Sequence, residues 1–180
     1  DDDVADGAAE AIDDEDVTRL EGHTGEVFIC AWSPATSQLA SGSGDATARV
    51  WSVPAGPSGR QAQGSLGDPI VLVHTPVTDD ATEGAEGAEG DEKREFESKD
   101  RNKNSKDVTT LDWNGEGSLL ATGSYDGAAR IWDADGTLVN TLSKHKGPIF
   151  SLKWNKKGDY LLFGSVDKTA IVWDAKTGEA

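Results

Sequence analysis

The chain has 180 residues, of which 36% are hydrophobic and six are tryptophan, so it is long and apolar enough to bury a core. Its formal net charge of −16, with no basic stripe of interleaved aromatic residues, disfavours direct binding to DNA or RNA, although basic histone tails remain compatible with it. No apolar run reaches the roughly 20 residues that cross a bilayer, so we expect a soluble intracellular protein without a membrane partner.

The first segment, residues 1–16, carries nine acidic side chains and no basic one. An acidic run without aromatic residues cannot bury enough surface to offset chain entropy, so we predict an acidic disordered tail. Residues 17–20 (VTRL) are predicted to form a leading strand that belongs to a neighbouring repeat. Because the chain starts with Asp1 rather than Met, we expect it to be a fragment of a longer protein.

A repeat marked by tryptophan follows. Three Trp pairs are each separated by 19 residues, with an Asp six positions before the second Trp and, in the first and third repeats, a His 28 positions before it. The pairs are Trp32 and Trp51, Trp113 and Trp132, and Trp154 and Trp173, with Asp45, Asp126 and Asp167 before them and His23, His74 and His145 leading the repeats. Units of about 40 to 45 residues with four short strands are the signature of WD40 β-propeller blades.

The middle repeat carries an insertion. His74 precedes Trp132 by 58 residues, which is the 28 of the other repeats plus 30. Residues 75–106 hold ten acidic and six basic residues and only Phe96 as an aromatic, so we predict an acidic disordered loop between strands. A tolerated surface insertion and a regulatory or docking loop both fit this composition.

The repeats together predict an all-β fold, a partial WD40 β-propeller of about three blades. We expect the leading strand and blade 1 in residues 17–74, blade 2 in residues 107–142, and blade 3 in residues 143–180 without an outer strand. Closed rings need roughly four to eight blades, so we expect an open ring that exposes sheet edges and apolar blade faces.

His, Ser or Thr, Asp and Trp recur at matching positions and allow two interpretations. His23, Ser41 and Asp45 are the residue types of a nucleophilic triad. The same types return in blade 2, however, and an enzyme rarely needs a triad in every repeat, whereas a buried hydrogen-bonded network rigidifies each blade. We therefore predict no catalytic residue, and structural tetrads at His23, Ser41, Asp45 and Trp51, at His74, Thr122, Asp126 and Trp132, and, incompletely, at His145, Asp167 and Trp173.

Blade 3 is incomplete because Phe163 takes the position of Ser41 and Thr122. We predict that His145 and Asp167 still pair, directly or through water. We also predict that a Phe163→Thr change stabilises a complete propeller, since the hydroxyl restores the network.

No metal or cofactor site is predicted. The three His residues lie tens of positions apart, and the single cysteine, Cys30, lies in an apolar run that favours burial and allows no disulfide. The run from Gly42 to Asp45 resembles part of a phosphate loop but lies between two strands, so it predicts a turn.

Several runs of the sequence resemble the transducin β-like 1 family, F-box-like/WD repeat corepressor subunits, in its plant or algal form. They are GEVFICAWSP at 25–34, LASGSGDATARVW at 39–51, KDVTTLDWN at 106–114, ATGSYDG at 121–127 and HKGPIFSLKWNKKG at 145–158. The resemblance implies a nuclear, non-catalytic scaffold of a histone-deacetylase corepressor complex that regulates transcription. It also implies an upstream LisH and F-box-like region, which these residues do not contain.

The resemblance further implies where partners bind, since proteins of this fold usually meet them on the narrow top face. The positions are the third and fifth residues after the His and the residue before the Asp. With blade 2 aligned on its Trp because of the insertion, they correspond to Glu26, Phe28 and Gly44 in blade 1, Asp107, Thr109 and Tyr125 in blade 2, and Pro148, Phe150 and Val166 in blade 3. Two carboxylates and three aromatic rings suit a ligand with Lys or Arg and an apolar anchor, such as a histone tail or corepressor segment, with Tyr125 as the hot spot. The alternative at each position is an ordinary strand end or turn.

Three functions stay open, and none involves a small-molecule substrate. The partners are histone deacetylase and corepressor subunits in the first, and ubiquitin-ligase components around a cullin-type substrate receptor in the second. A cytosolic signalling scaffold of the G-protein β kind is the third. The fold by itself does not decide among them.

Overall fold

The computed structural model describes residues 17–53, 67–74 and 105–180; the predicted tail, nearly all of the predicted insertion and residues 54–66 lie outside these ranges. The described residues form eleven strands and no helix, in three antiparallel sheets that follow one another along the chain. Consecutive strands pair within each sheet, as in a propeller blade. The strands are β1 (Val27–Trp32), β2 (Gln38–Ser43), β3 (Thr47–Ser52) and β4 (Ile70–Val73) in blade 1; β5 (Val108–Trp113), β6 (Leu119–Ser124), β7 (Ala128–Asp133) and β8 (Leu138–Ser143) in blade 2; and β9 (Ile149–Trp154), β10 (Tyr160–Ser165) and β11 (Ala170–Asp174) in blade 3. The predicted all-β fold, a partial propeller with an open ring, is confirmed.

The tight turn between the second and third strands explains why an Asp recurs in each blade. In blade 1 the Asp45 carboxylate accepts the N–H of Thr47 at 3.0 Å, and Ala46 between them has a φ of 65°. That left-handed conformation costs a residue with a Cβ roughly 1 kcal/mol, and the hydrogen bond to the Asp side chain offsets the cost. The other blades repeat the arrangement, with Asp126 and Gly127 in blade 2 and Asp167 and Lys168 in blade 3.

The apolar core lies between the blades. One cluster of buried residues joins blade 1 to blade 2, and a second joins blade 2 to blade 3. Glycine in the second strand lets the next blade approach closely: a Cβ on Gly42 would lie 2.8 Å from a methyl group of Val108, and a Cβ on Gly123 would lie 2.8 Å from a methyl group of Ile149. Val108 and Ile149, the first residues of the inner strands of blades 2 and 3, therefore pack directly against the backbone of the preceding blade.

Hydrogen bonds reinforce the contacts between blades at the ends of the inner strands. The indole N–H of Trp113 donates to the carbonyl oxygen of Ala31 in blade 1 at 3.2 Å. The indole N–H of Trp154 donates in the same way to the carbonyl oxygen of Asp112 in blade 2 at 3.1 Å. The Asp112 carboxylate also accepts the backbone N–H of Trp154 at 3.0 Å and the Lys153 ammonium at 2.9 Å. Blades 1 and 2 thus each present a carbonyl group to a Trp of the blade that follows.

Two predictions about blade 1 are wrong. Residues 17–20 form no strand, because none of the three sheets pairs with them and a lone strand leaves its backbone polar groups without sheet partners. Cys30 is exposed rather than buried, because it lies on β1, whose outward face is covered by neither of the other two blades.

Candidate functional site

The polar network of blade 1 is complete. His23 lies 2.8 Å from the Asp45 carboxylate through Nδ1 and 2.8 Å from the Ser41 hydroxyl through Nε2, and the Trp51 indole N–H donates to the same hydroxyl at 2.9 Å. In neutral His23, Nδ1–H donates to Asp45, so Nε2 accepts the Ser41 proton. Ser41 is buried, and its oxygen already accepts from Trp51. The arrangement ties the turn to the sheet rather than offering a nucleophile to solvent.

The network of blade 2 differs from the predicted tetrad because an arginine lies between His74 and Asp126. His74 Nε2 lies 2.8 Å from the Thr122 hydroxyl, which also accepts the Trp132 indole N–H at 2.9 Å. On its other side, His74 Nδ1 accepts from Arg130 at 3.0 Å, and Arg130 in turn donates to Asp126 at 3.1 Å. Asp126 therefore reaches the imidazole only through the guanidinium.

Arg130 fixes the tautomer of His74. A guanidinium has only donors, so Nδ1 of His74 must be the acceptor and Nε2 carries the proton that is donated to Thr122. This tautomer is the opposite of that of neutral His23. Burial, followed by the positive charge of Arg130, lowers the pKa of His74 to about 3. The imidazole of blade 2 stays neutral over the whole physiological pH range.

Blade 3 keeps half of the network. His145 Nδ1 donates to Asp167 at 2.8 Å, so this pair is direct. His145 Nε2 and the Trp173 indole nitrogen are both buried without a hydrogen-bond partner, because Phe163 offers no oxygen. Phe163 is itself buried, and its ring centroid lies 6.5 Å from that of Trp173. Apolar packing has replaced the central hydroxyl of this blade.

The turn carboxylates of blades 1 and 3 are held ionised. Burial alone would raise the pKa of Asp45, but hydrogen bonds from the Thr47 hydroxyl, the Thr24 N–H and His23 outweigh it and leave the pKa well below its usual range. For Asp167 the hydroxyl of Thr169 is the largest cause of a similar lowering of the pKa. Both aspartates therefore act as acceptors at every physiological pH.

Sequence reasoning missed Arg130 and the two threonines. The hydroxyls of Thr47 and Thr169 each donate at 2.6 Å to the Asp two positions earlier, whereas blade 2 has Ala128 at this position. This difference is visible in the sequence and could have predicted that Asp126 has a different hydrogen-bond partner. Arg49, which matches Arg130 by position, lies 6.0 Å from the centre of the Trp51 ring and forms no such bridge.

The structure places the predicted top-face residues in pairs at the same end of the three blades. In each blade the residue before the turn Asp donates its backbone N–H to the carbonyl of the residue that immediately precedes the inner strand. The donors and acceptors are Gly44 and Glu26 at 2.9 Å, Tyr125 and Asp107 at 3.0 Å, and Val166 and Pro148 at 3.0 Å. These six positions form one row across the blades.

Aromatic and apolar side chains lie along this row. The rings of Tyr125 and Phe150 meet edge to face across the contact between blades 2 and 3, with centroids 6.0 Å apart and planes at 86°. Phe28, Phe150 and Val166 are exposed, as is Glu26. Exposed rings beside carboxylates can hold an apolar group and a cation of the same ligand.

Thr109 differs from the other top-face candidates. Its hydroxyl donates to the carbonyl oxygens of Gly123 in its own blade and of Ile149 in the next. This side chain is therefore engaged between blades 2 and 3. We assign it a role in joining them.

No group of three or more His, Cys, Asp or Glu side chains in the described ranges could hold a metal ion. In the same ranges, no helix has the length and apolar character needed to span a membrane.

These features define the class of the protein. The WD domain, G-beta repeat family model matches residues 14–52, 96–133 and 136–174, which is more than half of the chain. The chain belongs to this family.

Two similar proteins indicate which group of WD repeat proteins the chain resembles. The chain is 58% identical over 139 residues to the WD40 repeat-containing protein HOS15 of Arabidopsis thaliana, covering 77% of this chain and 19% of that protein. It is 50% identical over 133 residues to the human F-box-like/WD repeat-containing protein TBL1X, covering 74% of this chain and 19% of that protein. The chain thus spans about a fifth of the length of these relatives. The predicted resemblance to a plant-type transducin β-like 1 protein is confirmed.

Proposed function

We propose that this protein is a non-catalytic protein-interaction scaffold whose top face binds partner segments. The observation that carries the proposal is the edge-to-face pair of Tyr125 and Phe150, which spans two blades beside the row of backbone pairs. Rings at such a junction offer a rigid apolar surface that loses little side-chain entropy when a partner binds.

The charge of this face determines the kind of partner. Glu26 is exposed, and the Asp107 carboxylate is held in place by the Ser105 hydroxyl. A segment with Lys or Arg beside an aliphatic or aromatic residue would place its cation near the carboxylates and its apolar group on the rings. Basic histone tails and basic corepressor segments have this chemistry.

The biological setting is a nuclear histone-deacetylase corepressor complex that regulates transcription at chromatin. The resemblance to transducin β-like 1 proteins supports this setting. The absence of a reactive arrangement from the described networks agrees with it, because Ser41 and Thr122 are buried and serve as hydrogen-bond junctions.

The test is whether the immobilised chain recovers histone-deacetylase activity from a nuclear extract. We expect recovery by the unaltered chain, loss with Tyr125→Ala, and retention with Tyr160→Ala, which removes the only other tyrosine. Deacetylase activity recovered equally by all three would refute the assignment to the top face. Recovery by none of them would refute the corepressor role.

A ubiquitin-ligase substrate receptor is the second candidate, because the human and mouse relatives are named F-box-like proteins. Cullin subunits bound to the same immobilised chain, without deacetylase activity, would favour it.

Binding of a basic histone-tail peptide tests the top face by itself, whichever complex the protein joins. Tyr125→Ala and Glu26→Gln should each weaken peptide binding, and Glu26→Gln should also reduce its dependence on salt.

A further inference from the structure

Charge is distributed unevenly over the blades. Residues 107–142, which form blade 2, contain six acidic residues and one basic residue, so their formal charge is −5. Residues 143–180, which form blade 3, contain seven lysines and four acidic residues, so their formal charge is +3. A chain with a net charge of −16 therefore concentrates positive charge on one blade. The top face, which spans the three blades, crosses this change of sign.

The blade 1 end of the top face combines a carboxylate with an aromatic ring. A Cβ on Gly44 would lie 3.3 Å from the Phe28 ring and 3.5 Å from Glu26 Oε2, so the ring and the carboxylate lie side by side over this glycine. Both side chains are exposed. The ring can cover the aliphatic stem of a Lys or Arg while the carboxylate binds its charge. This end of the face fits a cation.

Lys146 lies at the junction of blades 2 and 3, beside the aromatic pair of the top face. The turn of blade 2 that carries Tyr125 packs on the segment that contains Lys146. A Cβ on Gly127 in that turn would lie 3.0 Å from the carbonyl oxygen of Gly147 and 3.2 Å from that of His145. Lys146 is exposed, so its ammonium group is accessible to a ligand that packs on the aromatic pair.

A second exposed lysine, Lys168, lies in the turn of blade 3. Its φ of 72° is in the left-handed region that favours glycine, and blade 2 has Gly127 at this position. Asp167 accepts the backbone N–H of Lys146 at 3.0 Å, so two ammonium groups and one carboxylate leave a net charge of +1 here. In the described ranges neither ammonium group forms an ion pair. This end of the face fits an anion.

We propose that the top face selects partner segments that carry opposite charges on the two sides of an apolar residue. The cation binds beside Glu26, the apolar side chain packs on the ring of Tyr125, and an Asp or Glu side chain binds beside Lys146. The inference rests on the proposed function, because it uses the same face, and it adds an anion to the ligand. A uniformly basic segment would place a second cation against the lysines of blade 3, where like charges repel.

The net charge at the blade 3 end determines the kind of anion. A net charge of +1 balances one carboxylate, whereas a phosphorylated residue carries about two negative charges at neutral pH. The ligand therefore has an Asp or Glu side chain at this position.

The spacing of the three ligand groups follows from the blade architecture. Sheets that pack face to face lie roughly 10 Å apart, and an extended residue spans about 3.3 Å. A segment thus needs about three residues to pass from one blade to the next. Because the three contacts lie on consecutive blades, the cation, the apolar residue and the carboxylate are expected about three positions apart.

The test uses three fluorescently labelled peptides that differ in one residue. Each contains lysine, leucine and a third residue, placed about three positions apart by Gly and Ser. The third residue is Glu, Gln or Lys. Anisotropy titrations at low salt should give the Glu peptide an affinity about threefold higher than the Gln peptide, as one exposed ion pair provides, and the Lys peptide the lowest affinity. The advantage of Glu should disappear at about 1 M salt, which screens exposed charges.

Variants of blade 3 locate the anion site. Lys146→Gln combined with Lys168→Gln should abolish the preference for the Glu peptide and leave binding of the Gln peptide unchanged. The matched control is Lys156→Gln with Lys157→Gln, which removes the same charge from the exposed turn at the opposite end of the blade and should keep the preference. Lys146→Glu should reverse the order, so that the Lys peptide binds better than the Glu peptide.

The outcomes separate this inference from the proposed function. Equal affinities for the Glu and Gln peptides, or a preference that survives the loss of Lys146 and Lys168, would overturn the inference. The top face would remain a binding surface in that case if Tyr125→Ala still weakened binding. Failure of all three peptides to bind would overturn both. A phosphoserine peptide that binds more tightly than the Glu peptide would overturn the choice of a carboxylate.

Discussion

Arg130 donates to Nδ1 of His74 at 3.0 Å, although the two residues lie 56 positions apart. Arg130 is 1% exposed, so its charge is compensated inside the protein, in part by Asp126. The bond makes the central network of blade 2 electrostatically different from that of blade 1, where histidine and aspartate meet directly.

The first prediction concerns the protonation of His74. Its pKa falls from 6.5 to about 3 on folding. Between these values the unfolded chain binds a proton that the folded chain does not, so stability falls as the pH falls, by up to about 1.4 kcal/mol per pH unit. NMR should show the His74 ring neutral at pH 4.5, with its proton on Nε2. The stability of His74→Gln should depend less on pH between 6.5 and 4.5. A ring that titrates near 6.5 would contradict the assignment.

The second prediction compares the two matched arginines. Arg130→Met leaves the buried Nδ1 of His74 without a donor and Asp126 without its cation, and should cost about 3 kcal/mol of unfolding free energy. Arg49→Met in blade 1 should cost about 1 kcal/mol or less, because His23 and Asp45 pair without it. Urea denaturation of both variants measures the difference. Equal losses would show that Arg130 acts only by packing.

The third prediction concerns the central hydroxyl. Phe163 is buried against Trp173, so replacing its ring with threonine loses packing energy. We therefore no longer expect Phe163→Thr to be more stable than the unaltered chain, even though the hydroxyl restores hydrogen bonds. The benefit should appear against Phe163→Val, which has nearly the same shape as the threonine variant.

Threonine can accept from the Trp173 indole and bond His145, so Phe163→Thr should be more stable than Phe163→Val by about 2 kcal/mol. In blade 2, Thr122→Val should destabilise by about 2 kcal/mol or more, since it removes the oxygen bound by His74 and Trp132. Thermal unfolding of the four proteins compares them. If Phe163→Val is as stable as Phe163→Thr, the hydroxyl at this position does not stabilise blade 3 through His145 and Trp173.

The fourth prediction uses glycines at matching positions. A Cβ on Gly123 would lie 2.8 Å from Ile149 and from Thr110, so Gly123→Ala should destabilise by about 1 to 3 kcal/mol. Gly164→Ala meets ordinary contact distances and should leave the unfolding free energy of the monomer within about 0.5 kcal/mol. Chemical denaturation at low protein concentration makes the comparison. A large loss in Gly164→Ala would mean that blade 3 packs differently.

Much of the fold could be predicted because it depends on neighbours in sequence. Alternation of apolar residues predicts short strands in each repeat, and the inner strands β1, β5 and β9 each end at the first Trp of a predicted pair. The turn aspartates were predicted from their fixed distance to Trp. The exceptions were residues 17–20, where an apolar pattern had no sheet edge to pair with, and Cys30, where an apolar run did not reveal which side a neighbouring blade covers.

The sequence by itself determined the repeat and the recurring His, Asp and Trp of the networks, because strand periodicity and turn chemistry act over a few residues. Tertiary structure alone decided which polar atoms meet. His74 follows β4 of blade 1 yet bonds to Thr122 and Arg130 of blade 2. It also decided that Trp113 is buried and Trp32 is not, since burial of the same residue at the same position depends on whether another blade lies against it.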